Sequence, residues 1–267
     1  MIRIFRLVIL ALLALAASGQ TTLKANLPVC EGGDRELADR NYFVLCHSSD
    51  LKIPLWVGYE LTKADLDGPA ERPSGFREDK ELKSPGAKDS DYKGSGYSRG
   101  HMAPAEDFSR SDEAIKTTFL LSNVVPQEQF VNGGRWSQLE SMVREIVRES
   151  GRAYIITGPL FARSMVDTIG EGEVGIPTHT FKVVLALGPG DVRKMYAFVM
   201  PNADNVTKPV KSYATTVRKI EGRTGFDFFS GLDDAEERRL ETKKEIPVVS
   251  KPLPGSSKPK KSPAGHK

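Results

Sequence analysis

Six short runs rich in β-branched and aromatic residues, Tyr42–His47, Leu55–Leu61, Thr117–Val124, Ala153–Thr157, Thr180–Leu187 and Lys194–Met200, limit the fold most, because they do not alternate regularly with helical segments. Runs of this length and composition read as strands. Irregular spacing argues against a doubly wound sheet and for an α+β fold, with a central, mainly antiparallel β-sheet flanked by helices. One strong helix is expected from about Arg135 to Glu149, where Trp136, Leu139, Val143 and Ile146 make an apolar stripe and Gly151 stands ready to stop it. A second is expected over about Pro209 to Glu221. Residues 65–96 have no apolar period and are full of Gly, Pro, Lys and Asp, so they read as a long surface loop crossing the face of the domain.

No internal repeat and no long linker interrupts residues 20–250, which are therefore expected to form a single domain. The flanks differ. Residues 1–19 place Arg3 and Arg6 before an apolar run from Leu7 to Ala17 and end in small residues, the pattern of a cleaved signal peptide; the run is shorter than the roughly 20 residues a membrane span needs. Periplasmic or secreted localisation, with no membrane association after cleavage, is the expectation. Residues 251–267 are rich in Lys, Pro and Ser without an apolar face and are expected to be disordered. The only cysteines, Cys30 and Cys46, lie near the start of the mature chain, and export makes a disulfide between them the expected use, with two buried thiols as the alternative.

The formal net charge of +3 depends on the flanks: without the two leader arginines and the five tail lysines it is −4. Bulk charge therefore gives no support for nucleic-acid binding, and any phosphate recognition has to come from a few placed arginines.

Chemistry gathers in two segments. The first, residues 94–108, bends around glycines and carries Ser98-Arg99-Gly100-His101. By itself that histidine reads as a hydrogen-bonded structural residue. The second places Asn123 at a strand end, Gln127 after it, Asn132 before the strong helix, and Glu140 and Arg144 on that helix. Steps of four residues from Asn132 through Trp136 and Glu140 to Arg144 advance only about 40° each, so all lie on one slowly rotating side. A surface Glu140–Arg144 ion pair with Asn132 as a cap is the simpler reading of that segment.

Taken together, Arg99-Gly-His101-Met-Ala-Pro104, Leu121-Ser-Asn123, Pro126-Gln127 and Asn132-x-x-x-Trp136-x-x-Leu139-Glu140 resemble the DNA/RNA non-specific endonucleases, the endonuclease G-like family with a ββα-metal (His-Me finger) active site. Flanking landmarks, among them Thr157-Gly-Pro159, Ile176 to Lys182 and Thr224-Gly-Phe-Asp-Phe-Phe229, extend the likeness over about residues 40–230. The resemblance implies a sugar non-specific endonuclease acting on DNA and RNA. His101 would be the general base, Asn132 the one side chain bound to a single Mg²⁺ or Mn²⁺ per site, and Glu140 the holder of the metal's waters. Arg99 and Arg144 would face the phosphate, Asn123 and Gln127 would order the site, and Arg72 or Arg77 would add a further phosphate contact. Oxygen-only, sparse ligation suits Mg²⁺ or Mn²⁺ rather than zinc. Most members have Asp where this chain has Ser98. A homodimer and an inhibitor protein are partners the resemblance admits, and a nucleic-acid-binding protein with little or no turnover is the alternative reading.

Overall fold

Residues that alternate apolar side chains to two sides make strands buried on both faces, and this is what the computed structural model of the protein shows for residues 23, 26–162 and 165–248, the residues it describes. In chain order the elements are β1 (Arg35–Asp39), β2 (Val44–Ser48), β3 (Ile53–Thr62), α1 (Asp89–Tyr92), β4 (Ser98–His101), α2 (Asp112–Thr118), β5 (Val124–Gln127), α3 (Ser137–Ser150), β6 (Arg152–Leu160), β7 (Thr168–Ile169), β8 (Val174–Gly175), β9 (His179–Leu187), β10 (Arg193–Pro201), β11 (Ala214–Thr215), α4 (Val217–Thr224) and α5 (Asp234–Glu241). Seven strands form one antiparallel sheet in the order β1-β2-β3-β6-β9-β10-β11, while β4-β5 and β7-β8 pair separately. The α+β architecture expected from the strand spacing is the one observed.

Period two sorts the sheet's side chains between two cores. Ile155, Val184 and Ala186 pack with Tyr59, Phe198 and the α3 residues Leu139, Val143 and Ile146 on one face. Their strand neighbours Tyr154, Ile156, Val183 and Leu185 pack on the other with Trp56, Phe228, Phe229 and the α4–α5 residues Val217, Ile220 and Leu240. Burying each large apolar side chain stabilises the fold by roughly 1.5–3 kcal/mol. Burial on both faces also explains why the strands read as nearly continuous apolar runs.

Three expectations change. The run Thr117–Val124 is not a strand: it covers the end of α2, a 3-10 turn at Leu121–Asn123 and the first residue of β5. Ser111 starts α2 by accepting from the Ala114 amide, and Ala114, Ile115 and Thr118 bury its inner side, so local capping and packing decide a stretch that periodicity leaves ambiguous. The helix expected over Pro209 to Glu221 is divided into a 3-10 turn at Val210–Tyr213, the edge strand β11 and α4, because the Thr216 side chain caps a helix there, accepting from the Lys219 amide. The strong helix begins later than expected, at Ser137, after a π-helical stretch over Val131–Trp136, and ends where Gly151 takes φ +95°. The expected leader (1–19) and tail (251–267) lie outside the described residues.

The long loop is pinned. Asp79 receives hydrogen bonds from Arg40 Nε (2.8 Å) and from the Ser122 hydroxyl, and the backbone of Arg77 bonds to Phe119 and Leu121. These ties hold residues 72–79 against the start of β5.

Candidate active site

The site is built on the β4–β5 hairpin and the helix that follows. Antiparallel pairing sets Ser98 opposite Gln127, Arg99 opposite Pro126, Gly100 opposite Val125 and His101 opposite Val124. Gly100 is required by space: a Cβ there would lie 2.4 Å from Gln127 Oε1 and 2.6 Å from Gln127 Cβ. Below the hairpin, the buried Asn123 amide donates to the carbonyls of Ala103 (2.9 Å) and Thr118 (2.8 Å) and accepts from the Ala103 amide (2.9 Å). It thus fixes the backbone two residues beyond His101.

His101 closes β4 and is only 7% exposed. Phe76 and Phe119 flank its ring at centroid distances of 5.0 and 4.9 Å, and the Arg99 and Arg72 guanidinium groups cover the outer faces of those two phenyl rings. Burial, reinforced by the charge of Arg72, pushes the imidazole pKa down to about 3, so the ring is neutral at ordinary pH. Its Nε2 makes no hydrogen bond among the described residues.

A cleft of about 460 Å³ opens over this stack, lined by Ser98, Arg99, His101, Asn132 and Glu140, with Arg72, Phe76 and Glu106 on the loop side. Of the two loop arginines left open by the sequence, Arg72 lines the cleft, paired to Glu106 at 2.6 Å. Arg77 is exposed and takes part through its backbone. Arg99 is fixed over Tyr92 and by an ion pair with Asp89 at 2.6 Å.

Arg144 departs from expectation. Its guanidinium donates to Asp107 (2.9 Å) and Ser141 (3.0 Å) and does not line the cleft; neither does it pair with Glu140. The cause is Asp107, a buried carboxylate that also accepts from the Tyr59 hydroxyl at 2.8 Å and captures the nearest guanidinium. Gln127 is likewise buried, beneath Gly100, rather than in the cleft wall.

Lys182 is the residue that sequence reasoning passed over. Fully buried in β9, it donates to Thr157 Oγ1 at 2.8 Å and lies over the Trp136 ring. Burial pushes the Glu140 carboxyl up, and the charge of Lys182 counters that; burial lowers the Lys182 ammonium in turn. The signal was available as a lone lysine between Phe181 and the apolar run Val183–Leu187.

Asn132 and Glu140, both in the cleft wall, offer hard oxygen donors too few to strip a cation of its water. They fit an ion that keeps most of its hydration, as Mg²⁺ does, and lack the sulfur and imidazole set of a zinc site.

Known proteins resemble this chain in sequence and in fold. Residues 23–235 match the family model described as DNA/RNA non-specific endonuclease. Human mitochondrial endonuclease G is 34% identical over 212 residues, covering 75% of this chain and 71% of that protein. A nuclease of Nostoc sp. is 31% identical over 220 residues, covering 79% of each. Among solved structures, a chain of the EndoG/EndoGI complex superposes with a TM-score of 0.75 at 26% identity, covering 83% of this chain and 95% of that one.

Proposed function

The chain belongs to the DNA/RNA non-specific endonuclease family, and we propose that it is an exported, Mg²⁺-dependent nuclease that hydrolyses phosphodiester bonds in both DNA and RNA. The observation that carries this reading is the buried, neutral His101, whose unpartnered Nε2 belongs to a residue of the same cleft wall as Arg99, Asn132 and Glu140.

In the proposed reaction His101 Nε2 accepts a proton from water as the water oxygen attacks phosphorus; the bond to the 3′-oxygen breaks, leaving a 5′-phosphate and a 3′-oxygen that takes a proton from solvent to become a hydroxyl, and His101 returns its proton to solvent. The step needs a neutral imidazole with a free ring nitrogen, and the negative charge of bound phosphate, by offsetting that of Arg72, raises the basicity of the buried ring toward the range in which a general base works. Asn132 would hold the divalent ion and Glu140 would orient its waters; when bound, the ion would supply Lewis-acid stabilisation of the developing charge. Arg99 and Arg72 donate to phosphate oxygens as charge develops. Arg144 is reassigned from phosphate contact to bracing: through Asp107 it ties α3 to the segment just after His101. Contacts confined to phosphate and sugar carry no base information, which accounts for activity on both polymers. Export is supported by the leader-like residues 1–19 and by the Cys30–Cys46 disulfide, since such bonds persist in oxidising compartments. An inhibitor protein is a partner suggested by the EndoG/EndoGI complex.

The test is to incubate purified residues 20–267 with plasmid and with single-stranded RNA, with and without Mg²⁺, beside His101→Ala. Both polymers should be cut only with Mg²⁺ and only by the unaltered chain. Intact polymers throughout would overturn the nuclease reading, and equal cutting by His101→Ala would remove the histidine from its role.

A further inference from the structure

On the sheet face opposite α3, three carboxylates from separate elements converge: Glu221 on α4, Asp227 in the following turn and Glu241 on α5, with one oxygen of each within 4.8 Å of the others. Asp227 belongs to the Thr224–Phe229 motif, which the nuclease reaction leaves without a role. Glu241 is fully buried, and among the described residues no group other than the neighbouring Glu221 carboxyl is placed to share a hydrogen bond with its Oε1. Nearby, Glu237 also leaves a buried Oε1 unpartnered. The local positive charge is Arg218, whose half-exposed guanidinium is divided between Glu241 Oε2 (2.6 Å) and Glu221 Oε2 (3.3 Å). The Phe228 amide donates to Glu221 Oε1 at 3.1 Å. A buried carboxylate oxygen without a partner is costly, and several crowded together repel one another unless a positive charge joins them.

We propose that Glu221, Asp227 and Glu241 bind a divalent cation of the Ca²⁺ class, separate from the ion at the catalytic cleft, which fastens α4, the turn and α5 to the back of the sheet. Ca²⁺ accepts six to eight oxygen ligands in a flexible arrangement and tolerates carboxylates reaching it from different elements, where Mg²⁺ would retain its water.

The experiment uses the chelator-treated chain, thermal melting with and without CaCl₂, and calorimetric titration with CaCl₂ alone. At a hundredfold excess over Kd, Ca²⁺ should raise Tm by roughly 5–10 °C. The rise and one bound ion should persist in Asn132→Ala and be lost in Glu241→Gln and in the milder, exposed-site variant Asp227→Asn. No rise in the unaltered chain, the result expected if a proton shared by Glu221 and Glu241 fills the position, overturns the site. So does a rise that vanishes in Asn132→Ala, or one undiminished in both carboxylate variants.

Discussion

His101 is held uncharged by its surroundings, and that has a consequence for stability as well as for catalysis. Its folded pKa of about 3 lies below the unfolded value near 6.5, so between them the unfolded chain binds the extra proton. Stability is therefore complete above pH 6.5 and falls as the pH drops toward 3, by up to about 1.4 kcal/mol per pH unit from this group. His47, also buried, shifts in the same direction, so the comparison has to be with His101→Ala. Urea unfolding between pH 4.5 and 6.5 should give a shallower pH slope for the variant, and equal slopes would mean that the ring is not buried neutral. Beside it, Ser98 brings a hydroxyl to the cleft wall, where the family pattern expected from the sequence would put a carboxylate. A carboxylate there would favour protonated His101 and tighten Arg99. Ser98→Asp should move the acid limb of the pH-rate profile upward in pH, and a superimposable profile would show that the position is indifferent.

At the scale of elements, the β4–β5 hairpin decides whether the arginine and histidine on either side of Gly100 sit correctly. Gly100→Ala drives a methyl group into the stem of Gln127, which the buried hairpin leaves little room to move. Overpacking of this kind costs about 1–3 kcal/mol, and displacement of β4 by about 1 Å should lower the cleavage rate on the order of 100-fold. Denaturant unfolding and initial rates check the two effects, and a Gly100→Ala chain matching the original in both would refute the tight register. The same hairpin shows what the sequence disclosed. Gly100 and His101 were legible because an ordered series of residues up to Glu140 repeats a known pattern, and α3 was legible because its apolar stripe is regular and Gly151 ends it. The bond from Arg144 to Asp107 was not, since it joins residues 37 apart through a fold that four-residue spacing cannot describe. Lys182 closes the Ile176–Lys182 landmark, but its bond to Thr157 and its place over Trp136 join elements far apart in the chain, which that motif alone does not disclose. The Thr117–Val124 run failed for a different reason: its apolar residues suit a strand and a helix end equally, and the choice is made by the Ser111 cap, which lies outside the run, and by the Asn123 bond to the Thr118 carbonyl.

For the whole molecule, the sheet separates two tasks. The α3 face carries the cleft, and the opposite face carries α4, α5 and the Cys30–Cys46 bridge, which spans 16 residues and joins the segment before β1 to β2. β1 is an edge strand paired to β2 alone, so the unfolded chain gains much freedom there when the bridge is removed. In the chain-entropy model a loop of this length stabilises the fold by about 3 kcal/mol. For a protein of this size that corresponds to a fall in Tm of roughly 6–12 °C. Because the bridge packs against Trp56 and its neighbours and the cleft lies across the sheet, cleavage at 25 °C should stay within about twofold of the unaltered chain. Melting and rate measurements on Cys30→Ser/Cys46→Ser separate the two faces: loss of rate with an unchanged Tm would mean that the bridge side of the sheet governs the cleft, and the division of labour would have to be abandoned.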